Sequence, residues 1–175
     1  VLNVTVKGTT DITDNYRLRC SLNEKGSITR MEKWVDDTVL LNTSYFAYDK
    51  DGYLVSEQHN LDGDPFENLY YYNDGVLTKC QRRLDNEDVE YILYKTSDMD
   101  NKSGFSIHNE WAPGGLFGKP YRKMIVSEQT FNLDSVLIWD VTHRYDTSAD
   151  GAISSKRTDF ITGGNNETFR HRYNR

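Results

Sequence analysis

Proline, cysteine and long apolar runs are all scarce in these 175 residues, and each scarcity excludes something. Three Pro leave no polyproline linker or collagen-like segment. The two cysteines, Cys20 and Cys80, match no metal-binding spacing and cannot form a disulfide framework. Both lie in strand-like segments among apolar neighbours, so buried free thiols are expected ahead of a disulfide. No apolar stretch approaches the roughly 20 residues that a membrane helix needs. Basic residues are the minority, 21 Lys and Arg against 27 Asp and Glu, and the net charge of −6 argues against a nucleic-acid groove. The four His form no HxH or HExxH spacing, and no nucleophile elbow, phosphate loop or dinucleotide fingerprint occurs.

What the chain has instead is tyrosine, 12 of them, and turns rich in Asp, Asn and Gly. Tyr45 to Leu77 writes one short pattern twice: Tyr48-Asp-Lys-Asp-Gly52-Tyr-Leu54 and Tyr72-Asn-Asp-Gly75-Val-Leu77. Asp and Asn tolerate left-handed backbone and Gly has no Cβ to clash, so each copy reads as a strand, a tight turn and a returning strand. Related units surround Gly26, Gly104 and Gly151, and a missing copy falls between the last two. A second class of corner alternates with the first, at Asp36-Asp37, Asn60 to Asp64, Asp85 to Asp88 and Gly163 to Asn166. Two corners per period mean two strands per period, an up-and-down meander.

Alternation of apolar and polar residues places about twelve short strands, near 16–22, 27–35, 39–48, 53–59, 66–72, 76–83, 89–95, 104–111, 121–131, 134–145, 152–162 and 167–174. On the first, Tyr16, Leu18, Cys20 and Leu22 share a face; on the tenth, Leu137, Trp139, Val141, His143 and Tyr145 do. Residues 1–15 read as a lead-in arm with room for one strand at Leu2 to Val6, and 16–175 as a single domain. So many antiparallel strands must manage their edges. The expected fold is therefore all-β, an antiparallel meander closing into a barrel, with a two-layer or half-open sheet as the fallback. About twelve strands would leave a lumen that side chains alone do not fill. Charged and titratable residues interrupt the more apolar faces at Glu57 and His59, Arg82, His143, Arg157 and Asp159, and mean hydropathy is −0.75. A lipid-facing strand does not tolerate such interruptions, so a soluble barrel is expected rather than a membrane-spanning one.

Trp111-Ala-Pro-Gly-Gly-Leu-Phe-Gly-Lys-Pro-Tyr121 is too rich in Gly and Pro for helix or strand, and too aromatic for a purely solvated loop. If it folds over or into the lumen, Trp111, Phe117, Tyr121 and Trp139 are the expected lining of a ligand site. The competing reading is a surface connection whose aromatics pin it to the wall. Asp98 to Gly104 resembles a calcium loop only superficially, since Asn109 stands where the bidentate Glu belongs. No metal, cofactor or catalytic residue is expected; a glycosidase-like carboxylate pair ranks third among functions.

The Tyr-Asp-x-Asp-Gly-Tyr-Leu and Tyr-Asn-Asp-Gly-Val-Leu units resemble the tyrosine-aspartate (YD, RHS-type) repeats of bacterial secreted shell proteins. The whole pattern, over residues 16 to 174, also resembles a family of secreted lipoproteins from gut Gram-negative anaerobes, a domain of unknown function with a porin-like fold. That resemblance implies export by a signal peptide to the periplasm or cell surface and a tether through an N-terminal lipid. The start at Val1 agrees with a processed or truncated product. It transfers no site residues. The expected function is a non-enzymatic binding module holding an apolar or amphipathic small molecule; the alternative is a structural or protein- or glycan-interaction module at the cell surface.

Overall fold

A computed structural model describes residues 2–6, 16–35, 38–61, 64–102, 104–105, 115–149, 153–162 and 165–172. The strands are β1 (Leu2–Val6), β2 (Tyr16–Leu22), β3 (Ile28–Val35), β4 (Val39–Tyr48), β5 (Leu54–Leu61), β6 (Asp64–Asn73), β7 (Val76–Leu84), β8 (Glu87–Asp100), β9 (Lys123–Asn132), β10 (Leu137–Thr147), β11 (Ile153–Thr162) and β12 (Asn165–Arg172). They follow one another in chain order in a single sheet. The meander is thus as expected, but closure is not seen among the described residues: the strand order runs from β1 to β12 with these two as its ends. A five-residue β1 and the Arg-His-Arg run closing β12 are features that discourage edge pairing. Without closure, the argument for a surplus lumen lapses. Leu2–Val6 pairs with β2 as the first strand, while residues 7–15 lie outside the described residues. The strand expected at 104–111 is absent at Gly104 and Phe105, where the backbone turns through φ of 72°; its remainder lies outside the described residues.

Turn chemistry explains the hairpins. Asn23, Asp49, Asn101 and Asn132 each accept, through Oδ1, the amide four residues on, at 2.8 to 3.0 Å. The fourth residue of each turn takes positive φ: Gly26, Gly52 and Gly104, and in the last turn Ser135. Asp74-Gly75 and Asp85-Asn86 are two-residue turns with both φ values positive.

Packing divides the chain into two compact units: Val1–Leu69, Arg83–Glu87 and Ser106–Lys119 form unit 1, and Tyr70–Arg82, Asp88–Phe105 and Pro120–Arg175 form unit 2. In unit 1, Cys20, Met31, Ser44, His59 and Phe66 stand opposite one another on successive strands, and Phe46, Glu57 and Asn68 form the next row. On this face Cys20, Ser44, Phe46, Glu57 and Asn68 are buried and Met31, His59 and Phe66 half-buried; on the other Arg19, Arg30, Tyr45 and Gln58 are exposed, although Glu32 and Thr43 are covered there. In unit 2 the buried face carries Tyr94, Glu128, Val141 and Phe160 in one row and His143 with Thr158 beside it. Arg157 and Asp159 therefore lie on the opposite face.

Two register shifts bear on the expected facings. The first, after Ser21, sets Leu22 opposite Ile28 at the end of β2, where Leu22 is exposed although its partner is buried. Another makes Leu137 pair with Phe131 and Trp139 with Thr130; those partners are neighbours, so Leu137 and Trp139 point to opposite faces. Cys20 and Cys80 are both buried and free.

A longer repeat also becomes visible. The Tyr48 hydroxyl donates to the carbonyl of Ile28, and the Tyr145 hydroxyl to that of Ile125, each at 2.6 Å and each 20 residues back. Both members of the second bond lie 97 positions beyond those of the first. Along the same shift Asp37-Thr-Val-Leu-Leu41 matches Asp134-Ser-Val-Leu-Ile138, and Tyr48-Asp49 matches Tyr145-Asp146. The tyrosine of each unit is therefore a brace from the end of one strand to the start of the preceding one.

Candidate functional site

Residues 115–119, the described part of the aromatic loop, form a strap over the turns of unit 1. Gly115 and Gly118 take φ of 93° and 80°, which a side chain would resist. The Leu116 carbonyl accepts from the Ile28 amide and the Lys119 amide donates to the Gly52 carbonyl, both at 2.7 Å. The strap is thus tied to the β2–β3 turn on one side and the β4–β5 turn on the other. A Cβ at Gly118 would stand 2.5 Å from the Gly52 oxygen and 2.6 Å from the Tyr48 ring, so only glycine permits this approach. Lys119 holds its ammonium 4.7 Å over the Tyr53 ring.

Of the four residues expected to line a site, Phe117 is buried at 2% exposure in unit 1, its ring edge-on to Phe46 at 5.1 Å. Tyr121 is buried in unit 2, where its carbonyl accepts from Asn101 Nδ2. Trp139, also in unit 2, is 49% exposed near the open end of β10 and is not walled in. Trp111 lies outside the described residues. Phe117 thus belongs to unit 1, and Tyr121 and Trp139 to unit 2.

Beside the strap, unit 1 has a cleft of about 450 Å³, whose lining includes Asn23, Lys25, Ser27, Phe46, Ala47 and Tyr48. The lining combines aromatic and methyl surface with ammonium, hydroxyl, amide and, from Glu24 and Asp49, carboxylate groups. Burial, and then the charge of Glu57, push the Tyr48 phenol well above its ordinary range, so it stays a donor to Ile28.

Beneath Phe46 lies a polar array that alternation alone did not reveal. Ser44 Oγ is 2.8 Å from His59 Nδ1, and Glu57 Oε1 is 3.6 Å from His59 Nε2. Asn68 Nδ2 donates to Glu57, which is only 2% exposed. A hydroxyl, imidazole and carboxylate in line can activate a nucleophile. Here the hydroxyl donates to Asn42 Oδ1 at 3.2 Å and is 0% exposed, so it serves packing and hydrogen bonding.

Unit 2 has its own array. His143 Nε2 lies 2.7 Å from Glu128 Oε1 and Nδ1 lies 3.1 Å from Thr158 Oγ1. Arg82 pairs with Glu90 at 2.5 Å, and burial holds the Tyr94 phenol far above its usual range. In both arrays the hydroxyl and the imidazole are 15 residues apart, on paired strands. That interval carries no signal until register is known. Among the described residues, no group of three or more His, Cys, Asp or Glu is placed to hold a metal ion.

No protein-family model and no curated protein matches the sequence. Among solved structures, the chain is similar to a porin-like protein from Bacteroides uniformis, with a TM-score of 0.69 and 19% identity over 96% of this chain and 74% of that one. The likeness is one of fold. No helix among the described residues is long and apolar enough to cross a membrane, which says nothing of crossing by strands.

Proposed function

We propose that this chain is a non-enzymatic binding module whose unit 1 holds an amphipathic small molecule in the cleft beside the strap. The observation that carries the reading is the cleft itself: its volume falls in the range of small-molecule sites, and its lining holds both aromatic and hydrogen-bonding groups. The polarity of its rim favours an amphipathic ligand over a purely apolar one. Similarity to a porin-like Bacteroides protein supports placing the module among exported envelope proteins. The lipid tether belongs to this proposal and rests on the sequence resemblance alone.

The second copy of the repeat supplies a test. Position 47 is an exposed Ala on the cleft wall, and the equivalent position holds Arg144. Ala47→Arg should fill the cleft without disturbing the core. Native mass spectrometry with an alkyl glycoside as probe should show one equivalent bound to the wild type and none to Ala47→Arg, at equal thermal midpoints. Equal binding by both proteins, or by neither, refutes the cleft as the site.

A second reading, an interaction module at the cell surface, is favoured by exposed aliphatic residues at two hairpin tips, Val39-Leu40-Leu41 and Val136-Leu137-Ile138. Exposed aromatics support it less. In unit 2, Lys79 lies over Tyr71 and Tyr91, and Tyr91 stacks on Phe131, so these rings turn faces toward their neighbours. Charging both tips through Leu40→Lys and Leu137→Lys should abolish surface retention on the producing cells and leave glycoside binding intact; unchanged retention refutes this reading.

A further inference from the structure

Aligning the two hairpins at their 97-position shift exposes a paired exchange. The first copy holds Met31 on β3 and Phe46 on β4; the same positions in the second hold Glu128 on β9 and His143 on β10. The registers agree, because Met31 stands opposite Ser44 and Glu128 opposite the equivalent Val141. In each copy the two side chains are therefore diagonal neighbours on one face. Both members of an apolar pair have become polar together. An apolar pair of similar bulk fits the same frame, and replacing a buried ion pair by packed apolar residues is often neutral or stabilising. Stability alone therefore does not account for the exchange.

We propose that Glu128, His143 and Thr158 form a pH-responsive latch across β9, β10 and β11, which tightens when His143 takes up a proton. An ionised carboxylate only accepts, so Glu128 holds the ring as the Nε2–H form. Nδ1 is then free to exist with or without its proton. In the neutral ring the Thr158 hydroxyl donates to Nδ1; in the imidazolium it turns round and accepts from Nδ1–H. Neither state leaves a buried ring nitrogen unpaired, and no heavy atom has to move. What changes is strength, because the contact to Glu128 becomes charged on both sides.

The surroundings suit this role. Arg82 and Cys80 on β7, Tyr94 on β8 and Lys156 on β11 contribute to the field at Glu128 or Tyr94 on the same side, and Tyr145 on β10 is tied to the Ile125 carbonyl. Burial would raise the Glu128 carboxyl, but the His143 hydrogen bond and charge, with Lys156 and Arg82, outweigh it and hold the group below its ordinary range. Imidazole is the side chain whose ordinary titration falls between pH 5 and 8. The carboxylate that faces the ring stays ionised across that range.

Amide hydrogen exchange along β10 and β11, corrected for intrinsic rates, tests the latch. In the wild type, opening should be about fivefold rarer at pH 5.5 than at pH 8.0, the effect of one hydrogen bond becoming charge-assisted. The double variant Glu128→Met with His143→Phe, which transplants the first copy's pair, should open equally at both pH values. The same pH dependence in both proteins overturns the proposal. Should the double variant fail to fold, Glu128→Gln keeps an acceptor and removes the charge. Its opening along β10 and β11 should then be equal at both pH values, and a wild-type pH dependence that persists in it overturns the proposal as surely.

Discussion

Truncating Phe117 to Ala should loosen the fold of unit 1 rather than empty a binding site. The ring is 2% exposed and lies edge-on to Phe46, and the backbone on either side of it is fixed by the Ile28–Leu116 and Gly52–Lys119 hydrogen bonds. With the strap held at both ends, the neighbours cannot close on the space left behind. Phe-to-Ala losses in such places run at about 3 to 5 kcal/mol. With an m-value of about 2 kcal/mol/M in urea, 4 kcal/mol corresponds to a midpoint lower by about 2 M at unchanged slope. Phe117→Leu, which refills most of the volume, should lose only about 1 kcal/mol. Urea unfolding followed by circular dichroism measures both, and exchange of the Ile28 and Lys119 amides shows whether the loss begins at the strap. A change below about 1 kcal/mol in Phe117→Ala would refute the packing argument and return the ring to the lining of a ligand site.

Gly118→Ala should cost more than about 2 kcal/mol, because positive φ and a collision with the Gly52 carbonyl coincide, whereas Gly26→Ala, facing open space, should cost about 1 kcal/mol; equal thermal shifts would contradict this. Tyr48→Phe and Tyr145→Phe should each lose about 1 to 2 kcal/mol through an orphaned carbonyl, measured by the same urea titration. The depressed carboxyl of Glu128 contributes stability that is fully present above the ordinary carboxylate range and is lost as pH falls through the lower folded value; Glu128→Gln should therefore flatten the acid limb of a stability profile below about pH 4.3. Burial raises the Cys20 thiol, so a thiol reagent at pH 8 should leave it unmodified in the native protein and react once urea unfolds the chain; rapid native labelling would refute its burial.

The hairpins were legible because their causes are local. An Asx side chain reaching the amide four residues on, followed by a Gly in left-handed backbone, is written in five consecutive letters, as at Asp49 to Tyr53. Facing was legible only up to the first bulge: nothing in the letters marks the extra residue between Leu137 and Trp139, and one residue reverses every side chain before it. Closure depends on whether β12 meets β1, a contact at the greatest separation the chain allows. The polar arrays failed to appear for a related reason, since Ser44 and His59 become partners only through the register of β4 with β5. The loop's aromatic character is written in its letters, but that Phe117 is buried against Phe46 on a strap held by two turns depends on the hydrogen bonds to Ile28 and Gly52, which are remote in sequence.

Comparing the two copies separates frame from cargo. The parts that recur are the tyrosine brace, the backbone carbonyl it meets and the Asp beside it. The parts that differ are side chains outside that frame: Met31 and Phe46 against Glu128 and His143, Ser44 against Val141, Ala47 against Arg144. A brace made by a hydroxyl and a carbonyl does not depend on which residues fill the face beside it, so those positions can change without loss of the fold. The small Ala47 accompanies a cleft in the first copy, and the acid–base pair of the second accompanies a latch. Exchanging residues between equivalent positions therefore tests role with little risk to architecture. Ala47→Arg should close the cleft and leave the Tyr48 brace intact, and a loss of the slow exchange that the brace confers would show that frame and cargo are not separable after all.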